Sequence, residues 1–354
     1  MLKQHQTSIA ISASFIIMLA MFWVLPQVAF VVFIAVLLDL LLHPFVDRLE
    51  RLRLLPRSAA VAISLICFCL IVIVLFTVIS TTLADSLQKF SEDLPQINAS
   101  IRSLLESSEF ITNELDNLWS DITRLSITMI RASLSTVLDI FSRVFDVVII
   151  LFTAFYLLKD GRQIQKWLAR LFPSRDHLRV FRLIDHILSA LHTYIVSQLA
   201  ICFIMGIVVF IYFSWCDLPY AAIFAVFSGI SEFVPVIGPT IASAFGTAIT
   251  ATFSRQLAIQ TLLFYIIITQ INHNFIYPSL IGKTLGIHPI VILLGILIGG
   301  CVLNAAGMFL AIPFIVMIRI VILDIHGSLN GKPRLPRAVP RRKTRQKVEP
   351  STVD

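Results

Sequence analysis

The sequence predicts an all-α polytopic membrane protein, with about eight transmembrane helices, a re-entrant helical hairpin and an outer (periplasmic) helical segment. Two observations carry this class. Of the 354 residues, 57% are hydrophobic and 14% are charged, whereas soluble globular chains average about 45–50% and about 25%. Several apolar runs also approach or exceed the roughly 18 residues of a transmembrane helix, most plainly Ile9–Leu25, Ser58–Ser80 and Ile195–Phe213. Backbone inside hydrocarbon must satisfy its own hydrogen bonds, which makes these runs helices. The short alternating segments of a β-barrel do not occur in the sequence.

Residues 1–80 supply three helices, at about 9–25, 28–42 and 58–80. The first follows a single lysine, Lys3, and has the look of a signal peptide. No A-x-A-like site closes it and a second apolar run follows Pro26, so it reads as a retained helix. Residues 81–142 change character: four basic residues against nine acidic ones leave a net charge of −5, which suits the outer face. Apolar residues recur there at helical steps, at Ile97, Ile101, Leu104 and Leu105, and again at Ile111, Leu115, Leu118, Trp119, Ile122, Leu125 and Met129. Such faces either pack on each other outside the membrane or serve as an oligomer contact or entrance lid.

Residues 143–158 form a fourth helix. The segment 159–194 is amphipathic and carries Lys159, Arg162, Lys166, Arg170, Arg175, Arg179 and Arg182. Excess Lys and Arg mark cytoplasmic loops, so this segment, the turn bearing Arg48, Arg51, Arg53 and Arg57, and the tail are placed in the cytoplasm with both termini. The segment's arginines sit at the level of anionic headgroups. Residues 326–354 form a Pro-rich basic tail, read as disordered and attracted to membrane lipids. Nucleic-acid binding is the weaker reading of that tail, because the net charge of +7 follows from topology. The five cysteines, Cys67, Cys69, Cys202, Cys216 and Cys301, lie in or at the end of apolar segments and make no metal or disulfide framework; they read as small buried hydrophobes.

Residues 195–325 read as the transport core. All 13 glycines lie from Gly161 onward, ten of them between Gly206 and Gly307. Glycine in membrane segments permits close helix packing or broken backbone beside a cavity. At about 221–253, the centre Pro235-Val236-Ile237-Gly238-Pro239 divides an apolar segment into halves of about 14 residues, each too short for the roughly 30 Å hydrocarbon core. A hairpin that enters and leaves on one side fits; two short spans are the alternative. Glu232 stands three residues before Pro235. An intramembrane carboxylate is costly and points to function, against snorkelling or helix capping.

The run Thr269-Gln270-Ile271-Asn272-His273-Asn274-Phe275-Ile276-Tyr277-Pro278 interrupts an otherwise apolar helix. Gln270, His273, Asn274 and Tyr277 fall at helical steps of three or four and share one face. That face either lines a solute pathway or makes interhelical hydrogen bonds. His273 is either a titrating group near neutral pH or a neutral packing histidine. Gly282 to Pro289 reads as a cytoplasmic turn, followed by two short or kinked segments at about 289–303 and 307–325. No nucleophile elbow, zinc-protease motif or phosphate loop occurs, so the chain does not read as an enzyme and no cofactor is expected. Without a nucleotide site, transport would be secondary or channel-like.

Leu218-Pro219-Tyr220-Ala221, Phe233-Val234-Pro235-Val236-Ile237-Gly238-Pro239, Gln270…Asn274…Pro278…Gly282-Lys283…His288-Pro289 and Gly307…Ala311-Ile312-Pro313 follow one another in an order and spacing that resembles the autoinducer-2 exporter (AI-2E) family, also called PerM-like permeases. The likeness covers about residues 10–325, with the specific motifs in 216–313. It implies a bacterial inner-membrane protein of about eight helices that forms a homo-oligomer. It implies export of a small polar signal such as autoinducer-2 or, in other members, exchange of sodium or lithium for protons. Many members carry Glu where this chain has Asn272, and Asn cannot carry a proton, so an antiporter here would need Glu232 or His273 instead. The expected solute site lies between the Glu232–Pro239 turn and the Gln270–Tyr277 face. Glu232 is its charge or proton site, Gln270 and Asn274 give hydrogen bonds, and Pro235, Gly238, Pro239 and Pro278 expose backbone. The readings carried forward are a secondary permease, a sodium(lithium)/proton antiporter and a non-transporting membrane scaffold.

Overall fold

The computed structural model describes residues 10–17, 20–21, 24–51, 55–105, 144–218, 220–234, 237–280 and 287–329. The regular structure among them is entirely helical. After a helical stretch at 10–17, α1 runs Pro26–Arg51, α2 Arg57–Leu105, α3 Val144–Arg170 and α4 His177–Trp215. Next come α5 (Ala221–Ser231), α6 (Ile237–Phe253), α7 (Arg255–Ile271) and α8 (Pro289–Leu329). Four stretches are long and apolar enough to cross a membrane: Gln27–Arg51, Arg57–Ile79, His177–Trp215 and Gly307–Gly327. The remaining expected spans do not meet that criterion among the described residues.

Several helices outrun their apolar runs. The helix from Arg57 passes through the expected boundary at residue 80 and continues to Leu105; polar residues alone do not end a helix, and no glycine interrupts this one. The expected outer face beyond Leu105, the turn at 281–286 and the tail from 330 lie outside the described residues. Likewise α4 runs unbroken across the expected boundary at 194. Its amphipathic first half is not simply a surface element: Val180, Leu183 and Leu191 are buried, the first two in one cluster with Ile320 and Val321 of α8. Ile11 joins that cluster, so the first apolar run packs onto the core. The Arg179 guanidinium ties α4 to α8 through the Asp324 carboxylate, at 2.7 and 3.0 Å.

A second assembly joins α1, α2 and α3. Ala35, Leu38, Leu42 and Val46 pack on Ala60, Val61, Leu65, Ala154 and Leu158. Arg57 locks it: its guanidinium donates to the carbonyls of Leu158 (2.8 Å) and Lys159 (2.9 Å) and to Glu50 Oε2 (3.0 Å). The cysteines depart from the expectation of uniform burial, since only Cys202 is buried and Cys67 and Cys301 are exposed on outward helix faces.

Helix α8 is not one rod. A Cβ on Gly299 would lie 2.2 Å from the Gly307 carbonyl oxygen, and one on Gly295 would lie 2.4 Å from Ile315 Cδ1. Residues eight apart on a straight helix are separated by about 12 Å of rise, so the chain reverses between these glycines. The arms Ile290–Val302 and Gly307–Gly327 therefore lie side by side; the first is short, as expected, and the second is long enough to cross a membrane.

Candidate functional site

The site is built where α4, the α5–α6 hairpin and α7 converge. Gly206 of α4 and Gly229 of α5 face each other at a close crossing: a Cβ on Gly229 would stand 3.1 Å from the Cys202 carbonyl oxygen and 3.5 Å from Gly206 Cα. Small residues at a crossing let two membrane helices touch backbone to backbone. α5 has 11 residues and α6 has 17, about 17 Å and 26 Å of helix, each shorter than the roughly 30 Å core.

The turn between them satisfies its own backbone through Phe233 N–H to Ile230 O, Val234 N–H to Ser231 O and Gly238 N–H to Val234 O. Pro235 and Val236 lie outside the described residues. Gly238 is required by space, because a Cβ there would be 1.7 Å from the Ser231 carbonyl oxygen. Gly238 and Pro239 are both buried at the start of α6.

This turn puts Glu232 into the interior with 1% exposure. Its carboxylate Oε1 accepts a hydrogen bond from Asn272 Nδ2, and its backbone carbonyl accepts one from Gln198 Nε2 at 2.8 Å. The other end of the Gln198 amide, Oε1, accepts from the Tyr277 hydroxyl at 3.4 Å. Glu232, Asn272 and Gln198 are all buried. Two further polar atoms there, Asn272 Oδ1 and the hydroxyl of Tyr194, are buried with no hydrogen-bond partner among the described residues; Tyr194 packs in the cluster that Tyr277 lines. Orphaned buried polar atoms are costly and call for an explanation such as an unseen ion, water or solute.

The polar run on α7 is arranged differently from the α-helical expectation. Asn272–Ile276 forms a π-helical turn that continues into Tyr277–Leu280. The Tyr277 N–H donates to the Asn272 carbonyl, five residues back. One extra residue in the turn stacks Tyr277 over Asn272 instead of over His273 or Asn274. Asn272 and Tyr277 therefore reach the interior. Gln270 and Asn274 are exposed and hydrogen-bond each other at 3.3 Å. His273 is half-buried, its ring 5.6 Å from that of Tyr277. Pro278 lies in the last helical turn.

Two features were missed from the sequence. Gln198 is a lone amide within an apolar run. The Phe233 ring in the hairpin turn meets the Phe309 ring edge-on at 5.2 Å, so the tip of the α5–α6 hairpin touches the tip of the α8 hairpin beside Glu232.

A bundle of apolar helices that sequesters a carboxylate and two amides where two broken hairpins meet defines an integral membrane protein of the transporter class. The chain matches the description AI-2E family transporter over residues 13–327 and belongs to that family, whose members are transport proteins and not enzymes. It is 27% identical to YueF of Bacillus subtilis (strain 168) over 67% of this chain and 63% of that protein. It is 29% identical to YrrI of the same organism, over 49% of each chain. The chain thus spans less than two thirds of these two relatives, which are named provisionally as transport proteins with no cargo stated. It is 24% identical to the AI-2 transport protein TqsA of Escherichia coli (strain K12), over 83% of this chain and 85% of TqsA.

Proposed function

We propose that this chain is a secondary permease or exporter of a small polar solute, autoinducer-2-like or a related metabolite, in the bacterial inner membrane. The observation that carries the reading is Glu232: a carboxylate with 1% exposure, held by an amide where two hairpin tips meet. Carboxylates inside membrane segments are retained for pathways and coupling. Broken helices at that depth present free backbone to a solute. The α5–α6 hairpin is re-entrant in this reading, the bundle has about eight spans, and the basic segments and both termini are cytoplasmic. Assembly as a homo-oligomer completes the proposal. The cargo printed in the name of TqsA supports the solute class.

The full chain in sealed liposomes tests it, with autoinducer-2 as the first probe. Flux should fall by at least roughly tenfold in Glu232→Ala and Asn272→Ala, as expected when a buried hydrogen bond to a charged group is lost. It should change little in Asn274→Ala, whose amide is exposed. Unchanged flux in the first two variants sinks the site. Other solutes are found by comparing metabolites inside and outside deletion and overexpression strains.

A second reading, sodium(lithium)/proton antiport, is favoured by one observation: among the described residues, no cation pairs with the Glu232 carboxylate, so a proton or a metal cation would neutralise it. A pH-sensitive dye in vesicles should then respond to added sodium. No response across about pH 6 to 9, the range in which histidine and perturbed carboxylates titrate, rules this reading out.

A further inference from the structure

Glu232 is enclosed, so a solute reaches it only if something beside it yields. Three of its sides are held by polar or backbone contacts. Toward α4, Gln198 Nε2 donates to the Glu232 carbonyl at 2.8 Å, and a Cβ on Gly206 would stand 3.3 Å from the Ala225 carbonyl oxygen of α5. Toward α7, Asn272 Nδ2 donates to the carboxylate, and the hydroxyls of Ser228 and Tyr265 lie 2.9 Å apart in a hydrogen bond. Toward α6, the Gly238 N–H donates to the Val234 carbonyl at 2.8 Å. Breaking one of the two bonds to Glu232 strands a buried polar group, an effect of roughly five- to a hundredfold on an equilibrium.

The contact toward α8 is of another kind. The ring of Phe233, the residue after Glu232, meets that of Phe309 edge-on, at 5.2 Å with 76° between the ring planes. Both rings are only partly buried, so the pair stands at the edge of the enclosed site. Phe309 is braced by the cluster of Phe33, Leu37, Leu191 and Ile195. The backbone carrying each ring is fixed by a close approach, Gly238 against the Ser231 carbonyl and Gly299 against the Gly307 carbonyl. The two side chains are then the parts with room to move. An edge-on ring pair is worth roughly two- to tenfold beyond its buried area, and parting it strands no polar group.

We propose that Phe233 and Phe309 form a removable plug on the site. The rings turn to new rotamers, open the way to Glu232, and by their bulk set the size of solute admitted. This rests on the reading of Glu232 as the solute site and adds the residues that control entry to it.

Cys202 reports the opening without any transport. It is buried, and the Gln198 amide that holds the Glu232 carbonyl also lies 3.9 Å from its Sγ. The full chain with Cys67, Cys69, Cys216 and Cys301 replaced by Ser is reconstituted in liposomes and alkylated with N-ethylmaleimide. Phe233→Ala and Phe309→Ala should each raise the Cys202 rate by roughly two- to tenfold. Phe227→Ala removes a comparable ring contact, with Phe245 at 5.1 Å, from the arms of the same hairpin and should leave the rate unchanged. In a transport arm, the ratio of sucrose to autoinducer-2 flux should rise in both plug variants. An unchanged Cys202 rate in those variants, an equal rise in Phe227→Ala, or an unchanged flux ratio alongside measurable flux would each overturn the plug. Faster alkylation with no autoinducer-2 flux would uphold the plug and sink the cargo reading, whereas Glu232-dependent flux with unchanged alkylation would do the reverse.

Discussion

Helices α2 and α4 both begin at a basic segment and both contain an apolar run able to cross a bilayer, yet the protein uses them differently. Only 11% of the apolar window of α2 is buried, against 44% in α4. Along α2 the buried residues Ala60, Val61, Ser64 and Leu65 cluster near the Arg57 end, and the helix then presents Ile66, Leu70, Ile71, Val72 and Ile73 outward. Along α4, buried Ser197, Gln198 and Cys202 and close-packed Gly206 are interleaved with the aliphatic residues. Lipid tails are as apolar as leucine, so apolarity places a helix in the membrane without choosing its neighbours. Small and polar residues choose them. α2 presents an open apolar wall and α4 is the axis on which the core is assembled.

Four substitutions break or sharpen that contrast. The largest effect on folding should come from Gly238→Ala in the core, where the new methyl meets a backbone carbonyl that cannot swing aside. A loss at or above the usual overpacking range of about 1–3 kcal/mol is expected, read by detergent-titrated unfolding. Next is Asp324→Ala, which leaves Arg179, only 19% exposed, without its partner. Breaking fully buried pairs costs about 3–5 kcal/mol, and partial exposure of the arginine reduces the expectation to about 2 kcal/mol. Gln198→Leu strips the Glu232 carbonyl of its donor and should cost about 1–2 kcal/mol. It should also lower flux more than stability, which separates a site role from a packing role. The smallest effect belongs to Gly161→Ala in α3, where nothing lies within 4 Å of the new methyl; replacing a helical glycine should stabilise by about 0.5–1 kcal/mol. A severe loss at Gly161 would show that close packing at glycine is not confined to the α4 core.

The class of the protein and the break in the apolar run beside Glu232 were legible because both rest on coarse signals. A hydrocarbon solvent forces long apolar runs, and Pro235, Gly238 and Pro239 interrupt one of them next to a lone carboxylate. Asn272 was legible as a polar residue in the membrane but not as the partner of Glu232. Steps of three and four select Gln270, His273, Asn274 and Tyr277, and the π turn from Asn272 to Ile276 invalidates that arithmetic after the first of them. The turn depends on packing around it, which no local pattern records. Gln198 was hidden for a different reason: one amide in a run of aliphatic residues leaves the run apolar on average. The contact of Phe233 with Phe309 joins residues far apart in the chain and has no periodic trace at all.

The length of α2 has a consequence for access. From Arg57 to Asp93 the helix covers about 54 Å along its axis, and even a tilt of about 30° leaves roughly 47 Å across the membrane. A whole bilayer with its headgroups is about 40–45 Å thick. Asp93 accepts a hydrogen bond from the Tyr220 hydroxyl at the start of α5. Measured from the Arg57 level, that junction lies further along the helix than a bilayer is thick. A cysteine placed at Asp93 should therefore react with a membrane-impermeant thiol reagent in intact vesicles, and the reagent would sit at the foot of the hairpin without entering the lipid.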